Sequence, residues 1–296
     1  MAVVERKTLG ERTSDILNIA LLLLLSLLFV YPLWQCVVAS FSDPVQLIGY
    51  RGLIFKPMGF SLAGYKAVLR NKNILTGYGN TLFYLVVGTV LNMLFTIVGA
   101  YALTAKKMLL KKPLLMIMVV TMYVDFGLIP AFLNIRSLGL YNNRWALILP
   151  GLVATYNLIV MRTAFLAVPP SLPESAMIDG ANDFTILWRI IIPVSKATIA
   201  VIALFYAVGH WNSWFSAAVY LRDRSKYPLQ LFMREILIAN STLSAVGEGN
   251  SVDGIMFLDE LIKYCTIIIS TVPILLVYPF VQKYFVTGVM LGSIKE

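Results

Sequence analysis

Glu174-Ser175-Ala176, then Gly180, then Ile190-Ile191-Ile192-Pro193 mark a polar stretch lying between two hydrophobic runs. Three residues separate Ala176 from Gly180, and nine separate Gly180 from Ile190. Ser171-Leu172-Pro173-Glu174 has the form of a capping box, in which Ser171 accepts from the Glu174 amide and the Glu174 side chain reaches back. Pro173 is tolerated in a first helical turn, where its missing N–H has no intrahelical partner. The helix so begun is expected over 172–179, ending after Asp179 at Gly180, which can take left-handed backbone angles. Asn182 or Asp183 can start a second short helix running to Arg189, and Pro193 opens the next run. Ala176, Gly180 and Ala181 are small enough to let the backbone approach a groove, and Met177, Ile178 and Phe184 offer it apolar contacts. A surface helix that carries Met and Ile outward implies a partner.

The runs on either side belong to a chain of 296 residues that is 59% hydrophobic and only 13% charged. Its mean hydropathy of +0.79 lies outside the range of a soluble domain. A bilayer core roughly 30 Å thick needs about 20 apolar residues per crossing helix. Six runs qualify when tilt is allowed: 16–40, 81–103, 113–135, 145–161, 197–221 and 264–282. The expected fold is therefore all-α, a polytopic membrane protein with six transmembrane helices and one membrane domain spanning 1–296. The first run is too long for a signal-peptide core and lacks a small-x-small cleavage site, so it reads as a retained helix. Two long loops follow the first and fifth runs, at 41–80 and 222–263, and the polar stretch at 171–193 lies on the opposite side.

The net charge of +9 belongs with lipid headgroups and orientation rather than with nucleic acid. Lys and Arg divide evenly between the two sides, so the short loops decide. Lys106, Lys107, Lys111 and Lys112 crowd one tight turn, which favours cytoplasmic N- and C-termini. Cys36 and Cys265 lie in or beside spans without metal or pairing spacing, and read as apolar filler. His210 is the one histidine, so no pair of histidines a turn apart can hold zinc; no metal ligand set and no catalytic residue is expected. Nor is there a Gly-x-x-x-x-Gly-Lys-Ser/Thr phosphate loop, so the chain cannot itself hydrolyse ATP by that route. Two features point to a pathway. His210, Trp211, Asn212 and Trp214 place polar and aromatic groups near the end of the fifth run, where aromatic faces can stack on sugar rings. Asp125 is a carboxylate near the middle of the third.

The stretch around Glu174 resembles the EAA loop of ABC importer permeases, whose pattern is Glu-Ala-Ala, three residues, Gly, nine residues, Ile-x-Leu-Pro. The departures are Ser175 for Ala and Ile192 for Leu. The likeness extends along nearly the whole chain to the carbohydrate-uptake (MalG-like) permeases, especially their LplC-type subgroup. It rests on Gly127-Leu128-Ile129-Pro130, Gly209–Phe215, Arg222-Asp223-Arg224 with Pro228-Leu229-Gln230-Leu231, and Gln282–Gly288. The resemblance implies that 174–181 (Glu174, Ser175, Ala176, Met177, Ile178, Asp179, Gly180, Ala181) dock onto an ATPase subunit. It also implies that Gly247-Glu248-Gly249-Asn250 meets a solute-binding protein, and that the tail from Gly288 through Ser293 reaches the ATPase dimer. The implied assembly has a second permease, two ATPase subunits that bind ATP and Mg, an extracytoplasmic binding protein and an oligosaccharide substrate. It sits in the bacterial cytoplasmic membrane, and no cofactor belongs to this chain. Some related transporters carry acidic oligosaccharides, which makes a uronate-containing sugar an expectation.

Two other readings stay open on the sequence. An ion-coupled secondary carrier would use several ionisable groups near mid-membrane, where Asp125 is nearly alone. An ABC permease for a non-sugar solute would share every feature of the loop.

Overall fold

The computed structural model describes residues 9–48, 50, 52–105, 108–124, 126–246, 261–277, 279 and 282. All regular structure among them is helical. The helices are α1 (Leu9–Ser40), α2 (Pro44–Ile48), α3 (Ala63–Arg70), α4 (Lys72–Ala102), α5 (Lys111–Tyr123), α6 (Leu128–Ser137) and α7 (Thr155–Leu166). They continue with α8 (Ser171–Ile178), α9 (Asp183–Ile186), α10 (Ile192–Val194), α11 (Lys196–Trp211), α12 (Phe215–Tyr220), α13 (Leu229–Val246) and α14 (Leu261–Val277). By length and composition, two helices, α1 from Gly10 and α4, can each cross a bilayer alone. Two bent pairs pass the same test when each is taken as one span: α5 with α6, and Asp183–Val194 with α11, bent by 86°.

The six hydrophobic runs map unevenly onto these helices. The run 16–40 lies within α1. The run 81–103 lies mostly within α4, which starts earlier, at Lys72, because the Asn71 side chain caps it by accepting from the Asn73 amide at 3.0 Å. The run 113–135 is interrupted between Tyr123 and Leu128, where Gly127 takes a φ of 84° that a side chain would resist. The run 145–161 is not one helix: a 3-10 turn at Arg144–Leu147 gives way to irregular backbone up to Ala154, and α7 begins only at Thr155. The run 197–221 divides at Asn212 into α11 and α12. Most of the run 264–282 falls in α14.

The described chain forms two units. The first lies within Met1–Arg70 and Ile236–Thr271. Here the loop after α1 folds back on that helix through polar side chains. Tyr31 Oη accepts from the Ile54 amide at 3.1 Å, and Trp34 Nε1 donates to the Phe55 carbonyl at 3.1 Å. Asp43 starts α2 by accepting from the Val45 and Gln46 amides, and Ser40 Oγ meets Tyr65 Oη of α3 at 2.7 Å.

The second unit lies within Asn71–Glu235 and Val272–Glu296, and α4 runs through its middle between α7 and α11. Along α4 the buried residues Asn80, Tyr84, Gly88, Asn92, Thr96 and Ala100 recur every fourth position. That stride keeps them on one slowly winding face. At the N-terminal end of α4 this face grips the segment before α13. Asn80 Nδ2 donates to the Ser225 and Tyr227 carbonyls at 2.7 and 3.0 Å, and Tyr84 Oη donates to the Lys226 carbonyl at 2.7 Å. Thr81 Oγ1 accepts from the Leu229 amide at 2.8 Å, and Arg144 donates to Asn80 Oδ1 at 2.8 Å. Toward the other end, Ile97 and Ala100 pack with Leu158, Met161, Ile186 and Ile202 in the main apolar core.

Asn80 therefore serves three partners at once. Each buried polar group left unmatched costs about 1–3 kcal/mol. Asn80→Ala is expected to lower the melting temperature of the detergent-purified assembly clearly. Leu82→Ala, two residues along and exposed to the helix's other side, should leave it nearly unchanged. Thermal unfolding followed by tryptophan fluorescence checks the pair, and equal melting temperatures would remove the anchoring role.

Candidate functional site

Two regions of the second unit are built for more than packing. The first lies along α4. Asn92 Nδ2 donates to the carbonyls of Gly151 and Leu152 at 2.7 and 2.8 Å, and its Oδ1 lies 2.7 Å from His210 Nε2 on α11. One turn on, Thr96 Oγ1 and Tyr206 Oη are 2.8 Å apart, and Tyr206 Oη accepts from the Ala154 amide at 3.0 Å. Side chains of α4 and α11 thus supply the hydrogen bonds that the irregular backbone before α7 lacks. Gly88 completes the arrangement, because a Cβ there would overlap the His210 imidazole. A rise of about 1.5 Å per residue puts Asn92 about 18 Å from Asn80 and about 15 Å from the C-terminal end of α4. The cluster is deep within the span.

The second region is the stretch around Glu174. Helix α8 starts one residue earlier than its sequence suggests. Pro170, already at helical angles (φ −64°), is the residue before the first turn, and its carbonyl accepts from the Glu174 amide at 3.1 Å. No side chain caps that turn, so the expected Ser171–Glu174 capping box is replaced by the preset angles of the proline pair; the Ser171 carbonyl instead accepts from Ser175 Oγ at 2.8 Å. The end of α8 is as its sequence suggests. Gly180 has φ 82°, its amide donates to the Met177 carbonyl at 3.1 Å, and the Ala181 amide donates to the Ala176 carbonyl at 2.9 Å. These two bonds form a Schellman motif. Asn182 then caps α9, accepting from the Thr185 amide at 2.8 Å. Leu187–Ile191 is wound as a π-helix, and the chain turns by 86° into α11.

Burial divides this segment into two faces. Ala176 and Ala181 pack on the core formed with Ile186, Leu187 and Ile191. Met177, Ile178 and Phe184 point away, at 53%, 87% and 70% exposure. Tyr101 Oη, near the end of α4, lies 3.3 Å from Asp183 Oδ1, and Arg162 Nε of α7 donates to the Leu103 carbonyl at 3.1 Å. The exposed apolar face is therefore fixed to the same helices that hold the cluster at Asn92.

The loop after α12 is tied down by its own charges. Asn142, at φ 57°, accepts from the Arg222 and Asp223 amides at 3.0 and 2.9 Å, and its carbonyl accepts from Lys226 Nζ at 2.8 Å. The Ser225 hydroxyl and amide, with Lys226 beside them, hold the Asp223 carboxyl below its usual range. Arg224 pairs with Glu235 at 2.6 Å, and Arg234 stacks over Trp214 with its guanidinium carbon 3.5 Å from the ring centre. Arg222 remains exposed.

The sequence-derived candidates thus separate. His210 is in the Asn92 cluster, and the neighbouring Trp211 is buried with its ring 6.3 Å from that of Tyr78. Asn212 is exposed at the end of α11, and Trp214 carries Arg234. Asp125, Gly247, Glu248, Gly249, Asn250, Gly288 and Ser293 lie outside the described residues. Asn92, Thr96 and Tyr206 escaped sequence reading, although amide and hydroxyl residues four apart inside an apolar run were a usable signal. Among the described residues, no group of three or more His, Cys, Asp or Glu is placed to hold a metal ion.

No family model matches the chain. It is 37% identical over 289 residues to the polygalacturonan/rhamnogalacturonan transport system permease protein YtcP of Bacillus subtilis (strain 168), covering 96% of this chain and 99% of that protein. It is 38% identical over 288 residues to protein LplC of the same organism, covering 97% of each. A solved structure described as that of a bacterial ABC transporter involved in the import of the acidic polysaccharide alginate matches with a TM-score of 0.86 at 33% identity, over 95% of this chain and 100% of the other. The chain belongs to the permease subunits of carbohydrate ABC transport systems. It is an integral membrane component of a sugar importer, a transport subunit rather than an enzyme.

The fit between Gly88 and His210 gives a direct check on the cluster. Gly88→Ala is expected to cost about 1–3 kcal/mol by overpacking. Adding His210→Ala removes the obstructing ring, so the double variant should be less destabilised than the two single losses together. Melting temperatures of the four assemblies give the coupling, and strict additivity would mean the two positions do not meet.

Proposed function

We propose that this chain forms one half of the translocation pore of a binding-protein-dependent importer for an oligosaccharide containing uronate residues. The observation that carries the reading is the apolar face of Met177, Ile178 and Phe184, exposed beside a helix end fixed by Gly180. Burying such a face needs a partner with an apolar groove. In this reading 174–181 dock into a separate ATPase subunit, which binds the ATP and Mg, and substrate-driven movement passes through them. One docking segment per chain calls for a second permease and two ATPases. Six spans with cytoplasmic termini put that segment in the cytosol of a bacterial cell. The uronate assignment is supported by the relatives named for polygalacturonan and alginate, both acidic polymers.

The remaining assignments complete the path. An extracytoplasmic binding protein delivers the sugar, and Gly247-Glu248-Gly249-Asn250 contacts it. His210, Trp211, Asn212, Trp214 and Asp125 belong to the substrate pathway, with His210 setting its wall through Asn92. The tail from Gly288 to Ser293 reaches the ATPase dimer. Deleting 246–251 is expected to abolish binding-protein-stimulated ATP hydrolysis while subunit stoichiometry stays intact. Unchanged stimulation would remove the loop from that role.

The docking segment is tested by three substitutions, Gly180→Val, Glu174→Ala and Ile178→Asp, and one control in the complete assembly in liposomes. Gly180→Val forces a branched side chain into left-handed angles, at about 1–2 kcal/mol, too little to unfold the packed spans. Gly180→Asn tolerates the angle and serves as the control. Ile178→Asp puts a charge on the exposed face at little cost to the fold. Gly180→Val and Glu174→Ala should leave the permeases paired but uncouple hydrolysis from uptake of trigalacturonate, and Ile178→Asp should reduce the ATPase that co-purifies. Full coupling in all three would defeat the docking role. Uptake of neutral maltotriose but not of trigalacturonate or alginate trisaccharide would defeat the uronate assignment.

A further inference from the structure

The C-terminal end of α4 is closed by cations. Arg162 Nε of α7 donates to the Leu103 carbonyl at 3.1 Å, and Lys111 Nζ of α5 donates to the Thr104 and Ala105 carbonyls at 3.2 and 3.3 Å. Successive carbonyls thus gather two full positive charges at one turn, from two helices that pack together. Lys112 follows in the first turn of α5 and is exposed. None of the three pairs with a carboxylate among the described residues. Asp183, on the neighbouring α9, instead lies 3.3 Å from Tyr101 Oη. Carbonyl oxygens carry only partial charge, so positive charge stays in excess at this turn. Both bonded cations also keep N–H donors to spare, since a guanidinium and an ammonium carry more than these bonds use. In sequence, Lys106 and Lys107 add to the same stretch.

An apolar stripe leads away from the charge. At helical spacing Lys112 shares its face of α5 with Met116, Val119 and Val120, all exposed. From Lys112 to Val120 is about 12 Å along the helix, most of the depth of one leaflet in a hydrocarbon core roughly 30 Å thick. The adjoining face, with Leu115 and Met118, packs on the main core together with Met108, Ala176 and Ala181. Helix α5 therefore presents a cation at one end, an apolar track of leaflet depth below it, and a packed back that meets the α8–α9 segment.

We propose that Lys111, Lys112 and Arg162 bind the phosphodiester of an anionic phospholipid, with one acyl chain along Met116, Val119 and Val120, and that the bound lipid braces the α8–α9 segment. Phosphate oxygens accept from the spare donors and supply the missing negative charge. A zwitterionic headgroup brings its own cation to the same turn and neutralises nothing. Free phosphate has the charge but leaves the apolar stripe uncovered. Held between α5, α7 and the end of α4, the headgroup restrains the helices on which Ala176 and Ala181 rest. The site itself rests only on membrane insertion, and its effect on coupling rests on the docking reading above.

The test uses the complete assembly in nanodiscs of equal phosphatidylglycerol and phosphatidylcholine, with retained lipids counted by native mass spectrometry. The wild type should retain phosphatidylglycerol in preference. A cation beside an anionic headgroup is worth about a fivefold preference, so Lys112→Gln should lower the ratio by about that factor while Lys112→Arg keeps it. Lys112 is exposed, so its replacement spares the fold, and Lys66→Gln, exposed on α3, is the control. No preference in the wild type, or an equal one in Lys112→Gln, would overturn the site. An equal fall in Lys66→Gln would do the same, because charge anywhere on the surface would then suffice. Melting temperatures separate the two sources of phosphate. Phosphatidylglycerol should raise the value found in phosphatidylcholine alone, whereas inorganic phosphate added to phosphatidylcholine discs should not; an equal rise with inorganic phosphate would overturn the lipid assignment. In liposomes, loss of phosphatidylglycerol and Lys112→Gln should each lower the trigalacturonate carried per ATP hydrolysed, and no change in either would remove the brace. Absence of any sugar uptake by the wild-type assembly would refute the function instead, and the lipid counts would still decide the site.

Discussion

Hydrogen bonds along the buried face of α4 are the constraint on which the second unit depends. In an apolar environment every backbone donor and acceptor needs a partner within the protein. The chain is out of α-helical form at Arg144–Ala154 and again at Leu221–Pro228, each time with one short 3-10 turn. Both breaks are met by side chains from α4: Asn92 at the first, and Asn80, Thr81 and Tyr84 at the second. A helix that looks like an ordinary apolar span is thus the hydrogen-bond supplier for its neighbours. The four-residue stride makes this possible, because it aligns amide and hydroxyl groups on one face and leaves residues such as Leu82, Leu94 and Val98 exposed on the others.

The same helix links the two regions of interest. Its middle holds His210 and Tyr206 of α11, and its C-terminal end packs Ile97 and Ala100 against Ile186, Leu187 and Ile191. Those last three residues lie in the stretch that turns by 86° into α11. A displacement of the α8–α9 segment therefore meets α4 and α11 together, through contacts that are small and tightly packed. The π-helical turn at Leu187–Ile191 lies at the junction, and the Ser195 hydroxyl is buried there without a hydrogen-bond partner among the described residues. An under-satisfied junction of this kind is a natural place for a helix to change its winding.

Much of the α8–α9 segment was legible in the sequence because its determinants are local. Gly180 is required by a left-handed angle, and Asn182 caps the helix that follows it; each depends on neighbours within four residues. The start of α8 was misread for an equally local reason. Pro170 already holds helical angles, so Ser171 falls inside the helix rather than before it. Around the loop after α12, by contrast, Arg224, Lys226 and Arg234 are held by Glu235, Asn142 and Trp214. All three partners lie ten residues or more away in the chain.

By itself the sequence determined a helical membrane protein of the carbohydrate ABC permease family, since hydropathy, the spacing of Glu174, Gly180 and Pro193, and the missing phosphate loop are properties of composition and short range. Tertiary structure alone decided that the run 145–161 is broken, that Asn92 rather than solvent satisfies it, and that His210 lies against Gly88. The physical reason is range. The partners of the break lie 52 to 60 residues away along the chain, and hydropathy cannot distinguish a continuous apolar helix from an interrupted one whose polar backbone is satisfied from elsewhere.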